Sequence, residues 1–222
     1  MNRFPRLALT KGRLEQDTIN LLEASGLNMD QVRKPSRKLI LQVPEFPLDL
    51  ILLKGPDVAT YVEHGVADLG VVGKDVLLED PKPVYEVLDL GFGFCRMAVA
   101  GPLEMRDCPK KHLRVASKYP RIAREYFESR GQSVEIIGQQ GSVELAPLMG
   151  LADVIVDIVE TGNTLKANGL VVLEEMIPIS ARLVVNKVSY KTRREEMNRL
   201  IDMMERQLAG EAKCLNGKGG KP

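Results

Sequence analysis

An acidic residue followed by a hydroxyl-rich turn is the clearest chemical signal in this sequence. Asp157 interrupts a run of β-branched residues, and Glu-Thr-Gly-Asn-Thr follows at positions 160–164. A carboxylate inside so apolar a segment requires a partner to offset its desolvation. Backbone N–H groups and threonine hydroxyls in such a turn bind anions, phosphate among them. The combination suits a phosphorylated sugar, with the acid on the ribose hydroxyls and the turn on the 5′-phosphate.

The residues around Asp157 predict the elements that position it. The apolar run at 154–159 is typical of a strand buried on both faces, and residues 165–168 predict a short helix that ends at Gly169. A second interpretation stays open here, in which Thr161 and Thr164 merely cap that helix. Asp157 favours the binding interpretation, because a helix cap needs no acid in the preceding strand.

Other strands of the predicted sheet also end at residues that suit a ligand. In an open α/β sheet, the carboxyl ends of the strands form the edge where ligands bind. Taken alone, the stretch with Lys11 and Arg13 favours a solvated surface turn. The residues concerned are Lys11, Arg13, Lys54, Asp57 and Gly73.

Composition narrows the class of protein. The chain has 222 residues, 44% hydrophobic and 27% charged, and a formal net charge of +1, so no global field attracts nucleic acid or a membrane. Aromatic residues make up only 5%, and two histidines leave little for Ser-His or Cys-His catalysis. Three widely spaced cysteines indicate neither disulfides nor zinc. Without a signal peptide or an apolar span, we expect a cytoplasmic protein.

The order of predicted elements indicates two α/β lobes with the second inserted into the first. Two glycines in the segment 91–94 mark one crossing, and a strand at 177–185 is expected to return to the first lobe. We therefore predict lobe I at 1–91 plus 176–208, lobe II at 92–175, and a disordered tail at 209–222. The last helix is expected to end at Leu208.

Five motifs together resemble the ATP phosphoribosyltransferase family. They occur in order and without large gaps between Leu7 and Leu208, and they begin at Thr10, Asp57, Ala67, Gly141 and Asp153. The resemblance implies a two-lobed α/β fold of the periplasmic-binding-protein type (type II), with the active site in the cleft between the lobes. It also implies the first reaction of histidine biosynthesis. In that reaction N1 of the ATP adenine attacks C1 of 5-phosphoribosyl 1-pyrophosphate and displaces pyrophosphate.

The same resemblance assigns roles to the candidate residues. Asp157 takes the ribose hydroxyls and Glu144 lies close to the sugar, while Lys11 and Arg13 hold the pyrophosphate or the ATP phosphates. Many members of the family carry arginine where Lys54 stands, and lysine cannot form the bidentate contact of arginine. The residues expected to bind substrate are Glu144, Asp153, Glu160, Thr161, Gly162, Asn163, Thr164, Lys54, Asp57 and Gly73.

The resemblance also predicts a cofactor and partners. Mg²⁺ is expected on the substrate oxygens and water rather than on a protein ligand cluster. Nothing after Leu208 resembles the regulatory domain of the long form, so the chain resembles the short form. That form works as a homodimer within a hetero-oligomer, together with a histidyl-tRNA-synthetase-like regulatory subunit. No nucleic acid or membrane partner is expected.

Two rival functions remain open at this level. A solute-binding or ligand-sensing domain without catalysis shares the two-lobed fold, because fold does not fix function. A phosphoribosyltransferase with another nucleophile, such as a free base, would use the same turn at 160–164. Neither a binding nor a sensing role explains why an acid directly precedes that turn.

Overall fold

The structure is a computed structural model that describes residues 3–34, 37–43, 46–106 and 112–216, with side chains to 210. Its strands are β1 (Arg6–Thr10), β2 (Ile40–Gln42), β3 (Asp49–Leu53), β4 (Leu69–Gly73), β5 (Val84–Asp89), β6 (Cys95–Gly101), β7 (Leu113–Ser117), β8 (Val134–Gly138), β9 (Val154–Val159), β10 (Val171–Ile179) and β11 (Ala181–Asn186). Its helices are α1 (Arg13–Ala24), α2 (Asp30–Arg33), α3 (Gly55–Glu63), α4 (Lys74–Glu79), α5 (Pro120–Ser129), α6 (Leu145–Leu148), α7 (Asn163–Ala167), α8 (Lys187–Thr192) and α9 (Arg194–Asn216). A 3₁₀ turn spans Leu103–Arg106.

The chain divides into two compact units. The first takes the residues up to Leu77, then Pro81–Gly93 and the part from Ser180 onward. The second takes Leu78–Asp80 and Phe94–Ile179. The boundaries predicted from the sequence lie at 91/92 and 175/176 instead, with residues 78–80 in the first lobe.

The first unit is a mixed sheet with helices on both faces. Its strand order is β2-β3-β1-β4-β11-β5, with β1 parallel to β3 and β4. Leu7 and Leu9 contribute to the core cluster that contains residues of α1 and α9. Ala8 between them belongs to the cluster with residues of α3. This alternation follows from the twofold periodicity of a strand, and it gives both faces of the sheet a buried core.

The second unit repeats this arrangement around β9. Its strand order is β10-β6-β9-β7-β8, in which β7 runs parallel to β8 and β9, and β6 runs antiparallel to β9 and β10. Ile155 and Val159 are buried with residues of α6 and α7, whereas Val154 and Val156 are buried with residues of α5. The β-branched run therefore forms a central strand covered on both faces, as its composition predicts.

The amino end of α5 is capped by a residue from far away in the sequence. Pro120 has no N–H to satisfy at the first helical position. The next two N–H groups, of Arg121 and Ile122, donate to the two carboxylate oxygens of Glu79 at 3.1 and 3.0 Å. Glu79 belongs to the short segment 78–80 that groups with the second unit. This cap explains how a segment before β5 becomes part of the later unit.

The prediction of one strand over residues 177–185 is wrong. β10 pairs with β6 as far as Ile179, and after Ser180 the chain continues as β11, which pairs with β4 and β5. Residues 176–179 consequently remain with the second unit. A continuous apolar pattern hides the break, because Ile179 and Ala181 are both buried, each in its own unit.

The carboxyl-terminal helix is longer than the sequence analysis predicts. α9 runs from Arg194 to Asn216, whereas disorder was expected from residue 209. Alanine, lysine and leucine in this extension are strong helix formers, which accounts for the difference. The final stretch of that expected tail, 217–222, lies outside the described residues. In the described part of the chain, no helix is both long enough and apolar enough to span a bilayer.

Candidate active site

Asp157 lies on the face of β9 that α6 and α7 cover. It alternates with Ile155 and Val159, which are buried against that layer. Its side chain is 14% exposed, so it is largely but not fully withdrawn from water. One carboxylate oxygen accepts a hydrogen bond from the N–H of Ile158 at 2.8 Å. The acid predicted from the sequence is therefore fixed near the carboxyl end of a rigid central strand.

The turn after β9 leads directly into α7. Gly162 precedes the helix with φ 76°, a left-handed conformation that favours glycine. The first hydrogen bond of the helix runs from the Lys166 N–H to the Gly162 carbonyl at 3.0 Å. Gly162 occupies the cap position and has no side chain to cap the helix. The hydroxyl of Thr161 accepts a long hydrogen bond from the N–H of Asn163, the first residue of α7, at 3.4 Å, so the capping interpretation holds in part for Thr161. Thr161 and Thr164 are both exposed.

A pocket of about 300 Å³ brings the acid and the turn together. Its lining consists of Glu144, Ile155 and residues 157–165. This volume lies at the lower end of the range for small-molecule sites, roughly 300 Å³ and above. A larger groove of about 880 Å³ in the first unit, along α1 and α9, contains none of the predicted site residues. The pocket at the end of β9 thus unites the predicted residues of the second unit, with one exception.

Asp153 is that exception. It precedes β9 at the strand's amino end and does not line the pocket. Its carboxylate accepts hydrogen bonds from the backbone N–H of Arg114 at 2.9 Å and from the Arg114 guanidinium at 3.0 Å. The Asp153 side chain is only 4% exposed, so the acid of this ion pair is buried and its role is structural. Asp157 lies four residues further along the strand, and four residues span about 13 Å, so Asp153 is remote from the pocket.

Lys118 is a charged neighbour of Asp157 that the sequence analysis does not single out. It directly follows β7, and its ammonium nitrogen lies 3.8 Å from a carboxylate oxygen of Asp157. Its position could have identified it as a candidate, because Lys11 and Lys54 are likewise basic residues that directly follow a buried strand. That Lys118 reaches Asp157 depends on the pairing of β7 with β9, which the sequence does not reveal.

The predicted residues of the first unit collect at one edge of its sheet. β1, β3 and β4 are parallel, so Lys11, Lys54 and Gly73 lie at neighbouring carboxyl ends. The Lys11 N–H extends the ladder by donating to the Leu53 carbonyl at 2.8 Å. Arg13 opens α1 and Asp57 lies in the first turn of α3, both directly beyond this edge. The side chains of Lys11, Arg13 and Lys54 are exposed.

Glycine is required in the turn between Lys11 and Arg13. Gly12 has φ 102° and ψ −136°, a region that other residues rarely adopt. Its N–H donates to the Glu15 carboxylate at 3.2 Å, which ties the turn to the first turn of α1. The two cations are thus held on either side of a defined turn.

No metal ligand cluster occurs among the described residues, since no group of three or more His, Cys, Asp and Glu side chains is placed to hold an ion. The pocket at the end of β9 offers three carboxylates, from Glu144, Asp157 and Glu160, but they do not form such a group.

Comparisons with known proteins bear on this arrangement. The family model described as HisG: ATP phosphoribosyltransferase matches residues 54–206. An ATP phosphoribosyltransferase of Alkaliphilus metalliredigens is 58% identical over 197 residues, which cover 89% of this chain and 94% of the relative. One from Caldanaerobacter subterraneus is 54% identical over 195 residues, covering 88% and 93%.

Solved structures agree with the fold. An ATP phosphoribosyl transferase (HisG:HisZ) complex from Thermotoga maritima matches with a TM-score of 0.79 and 37% identity, over 93% of this chain and 99% of the other. The periplasmic aliphatic sulphonate binding protein SsuA of Escherichia coli matches with a TM-score of 0.60 and 11% identity, over 98% and 72%. The second likeness confirms the predicted periplasmic-binding-protein type of α/β fold. The family model, the relatives from Alkaliphilus and Caldanaerobacter and the structure from Thermotoga show that this chain belongs to the ATP phosphoribosyltransferase family.

Proposed function

We propose that the protein condenses ATP with 5-phosphoribosyl 1-pyrophosphate to give N1-(5-phosphoribosyl)-ATP and pyrophosphate, the first step of histidine biosynthesis. Membership of the family supports this reaction. The observation that carries the assignment to residues is the pocket at the end of β9, where an acid and a hydroxyl-rich turn share one cavity.

The pocket is proposed to bind the ribose 5-phosphate part of the sugar substrate. Backbone N–H groups of the turn, with the hydroxyls of Thr161 and Thr164, would donate to the phosphate oxygens. Asp157 and Glu144 would accept hydrogen bonds from the ribose hydroxyls, which an ionised carboxylate does well. These residues all line one pocket of about 300 Å³, which supports this assignment of roles.

The edge of the first unit is proposed to bind the remaining phosphates. Lys11 and Arg13 present two cationic groups there, and both are exposed. Lys54 stands at the end of the neighbouring strand β3, with Asp57 and Gly73 close by in the topology. Their charge suits a pyrophosphate leaving group or the ATP triphosphate.

Catalysis in this proposal needs no covalent attachment to the protein. As the bond from C1 to pyrophosphate breaks, positive charge develops on the ribose and negative charge on the leaving group. Fixed carboxylates near the sugar and fixed cations near the pyrophosphate would stabilise both charges without reorganising. Asp157, held by the central strand, and Lys11 and Arg13, held beside Gly12, fit these roles.

Magnesium dependence is part of the proposal. Pyrophosphate oxygens and water would provide most ligands, as magnesium commonly prefers with phosphorylated substrates. When bound, such an ion would supply positive charge near the pyrophosphate.

We further propose a partner subunit and a setting for the reaction. The similarity to the HisG subunit of a HisG:HisZ complex supports assembly with a regulatory subunit of the histidyl-tRNA-synthetase type. A homodimer of this chain inside a hetero-oligomer would follow the family pattern. A cytoplasmic location suits an enzyme that draws on ATP for amino-acid synthesis.

The decisive experiment is an assay for phosphoribosyl-ATP with the purified chain, with and without the candidate partner subunit. Product that depends on both substrates and on Mg²⁺ is the expected result. Tight binding of the phosphorylated sugar with no turnover under either condition would favour a ligand-binding role instead. Turnover with a free base in place of ATP would identify a different phosphoribosyltransferase.

A further inference from the structure

The proposed sugar-phosphate pocket has an unfavourable charge for its ligand. Three lining residues, Glu144, Asp157 and Glu160, are acidic, and none of the lining residues described is lysine or arginine. A phosphate dianion that enters such a pocket is repelled by the carboxylates and attracted by the N–H and hydroxyl dipoles of the lining. Like charges at short range oppose binding unless a cation compensates them.

Lys118 lies where such a cation is needed. β7 and β9 are parallel with Ser117 opposite Val156, so the residue after each of these stands at the same level of the sheet. Those residues are Lys118 and Asp157, and their charged groups approach to 3.8 Å. The lysine side chain is 40% exposed, compared with 14% for the acid, so Lys118 stands on the solvent side of the pair.

The backbone beneath Lys118 is firmly held. The hydroxyl of Ser117 donates to the Val156 carbonyl at 2.6 Å and accepts from the Tyr119 N–H at 2.8 Å. The Ser117 carbonyl accepts from the Gln139 N–H at 2.9 Å. These bonds tie β7 to both of its neighbours at this level of the sheet. They fix the point from which the flexible lysine side chain extends towards Asp157.

We propose that Lys118 is a positioning residue of the sugar-phosphate pocket. Its ammonium holds the Asp157 carboxylate towards the ribose hydroxyls and offsets the negative charge of that carboxylate. This inference rests on the proposed function and adds to it a residue that acts through Asp157. At 3.8 Å the contact is a loose ion pair, which leaves the carboxylate able to accept hydrogen bonds from a ligand.

The test measures binding and turnover of 5-phosphoribosyl 1-pyrophosphate with the full-length chain, together with its partner subunit for turnover. In the variant Lys118→Gln, the dissociation constant and the KM for this sugar should rise about tenfold, equivalent to about 1.4 kcal/mol. The KM for ATP and the melting temperature should stay unchanged. Lys118→Arg keeps the charge and should restore most of the affinity.

Arg114→Gln is the matched control. It removes a cation from the same strand pair, but at the other end of β9, where Arg114 binds Asp153. We expect a lower melting temperature and an unchanged KM for the sugar. A drop in stability without a change in KM for Lys118→Gln would mean that its ion pair is only structural, and the inference would be wrong.

A double variant tests whether Lys118 acts through Asp157. Asp157→Asn combined with Lys118→Gln should bind the sugar no more weakly than Asp157→Asn alone, because the orienting partner is already lost. Additive losses would overturn the positioning role. If Asp157→Asn weakens binding while Lys118→Gln does not, only the role of Lys118 fails. If neither Asp157→Asn nor Thr161→Val affects the sugar, the proposed function itself fails.

Discussion

The two ends of β9 carry the same kind of pair in two different states. At the amino end Asp153 binds Arg114, and at the carboxyl end Asp157 faces Lys118. In both pairs the cation comes from β7 or the residue after it, because the two strands are parallel and in register. Comparing the two pairs shows how the arrangement of the partner changes the contacts and the exposure of the acid.

The pair at the amino end is closed. Asp153 receives a backbone N–H and the planar guanidinium of one residue, Arg114, which also donates to the Gly150 carbonyl at 3.0 Å. Arginine is suited to such multiple, fixed contacts. With 4% of its side chain exposed, the acid has little surface left for a ligand. It secures the start of the strand.

The pair at the carboxyl end is open. Lysine offers a single point charge on a flexible stem, and its contact with Asp157 is 0.8 Å longer than the closest contact between the Arg114 guanidinium and Asp153 (3.8 against 3.0 Å). The acid lines a pocket, and a hydroxyl-rich turn follows it. The difference is that arginine encloses its acid in several fixed contacts, whereas the looser contact with lysine leaves Asp157 at the lining of a pocket, as the proposed function requires.

The largest effect should come from Asp157. Replacing it with asparagine removes the charge that we assign to the ribose, and kcat/KM should fall by about a hundredfold or more, as when a fixed group at a reacting centre is lost. Steady-state kinetics measure the change, with circular dichroism as the check that the fold is intact. Unimpaired turnover would remove this acid from the site and the contrast with Asp153 would collapse.

Asp153 should show the opposite behaviour. Asp153→Asn weakens a buried pair whose guanidinium is partly exposed, so the free energy of unfolding should fall by about 2 kcal/mol. The KM for 5-phosphoribosyl 1-pyrophosphate should not change in the folded protein. Denaturant unfolding and steady-state kinetics on the same preparation separate the two quantities. A raised KM with normal stability would return this residue to the substrate site.

Thr161 tests the turn beside the open pair. Thr161→Val keeps the side-chain shape but removes the hydroxyl, so one hydrogen bond to the phosphate is lost. The KM for the phosphorylated sugar should rise about tenfold, the effect of roughly 1.4 kcal/mol. The KM for ATP is the internal control. A change confined to ATP would mean that the phosphates of the two substrates are assigned the wrong way round.

The smallest effect should come from replacing a glycine near either end of β9. Gly162 and Gly150 have φ values of 76° and 72°, and alanine at either position is strained by roughly 1 kcal/mol. Both variants should lower stability by a similar amount. Only Gly162→Ala should raise the KM for the sugar, by a few-fold, because it shifts the N–H groups of the turn. Equal kinetics in the two variants would contradict the anion-binding role.

Where the signal was local, the sequence predicted which side chains come together. Asp157 and the turn at 160–164 line one pocket, because a β-branched strand, an acid and a glycine-centred turn follow closely in sequence. Asp153 belongs to the same motif, but adjacency in sequence does not bring it to that pocket, because it lies at the opposite end of the strand. Pairing between distant strands carries no such signal, and Lys118 meets Asp157 only through the register of β7 with β9.

The boundaries show a second limit of sequence reasoning. Ser180 separates two strands of different sheets, yet apolar residues continue on both sides of it, so the pattern reads as one strand. The segment 78–80 was equally unpredictable, because its membership of the second unit depends on the carboxylate of Glu79 reaching the start of α5. Both features depend on partners that are remote in sequence.

The cap that Glu79 provides has a consequence for anyone who wishes to isolate or transplant the second unit. A fragment cut at the two obvious crossings, 94–179, would leave out the one carboxylate that satisfies both Arg121 and Ile122. Such a fragment would begin α5 with two donors facing solvent, and we expect its melting temperature to rise when the short stretch 78–80 is grafted back. The second unit is therefore built from two separate segments of the sequence, and a gene divided at the two crossings would separate Glu79 from the helix that it caps.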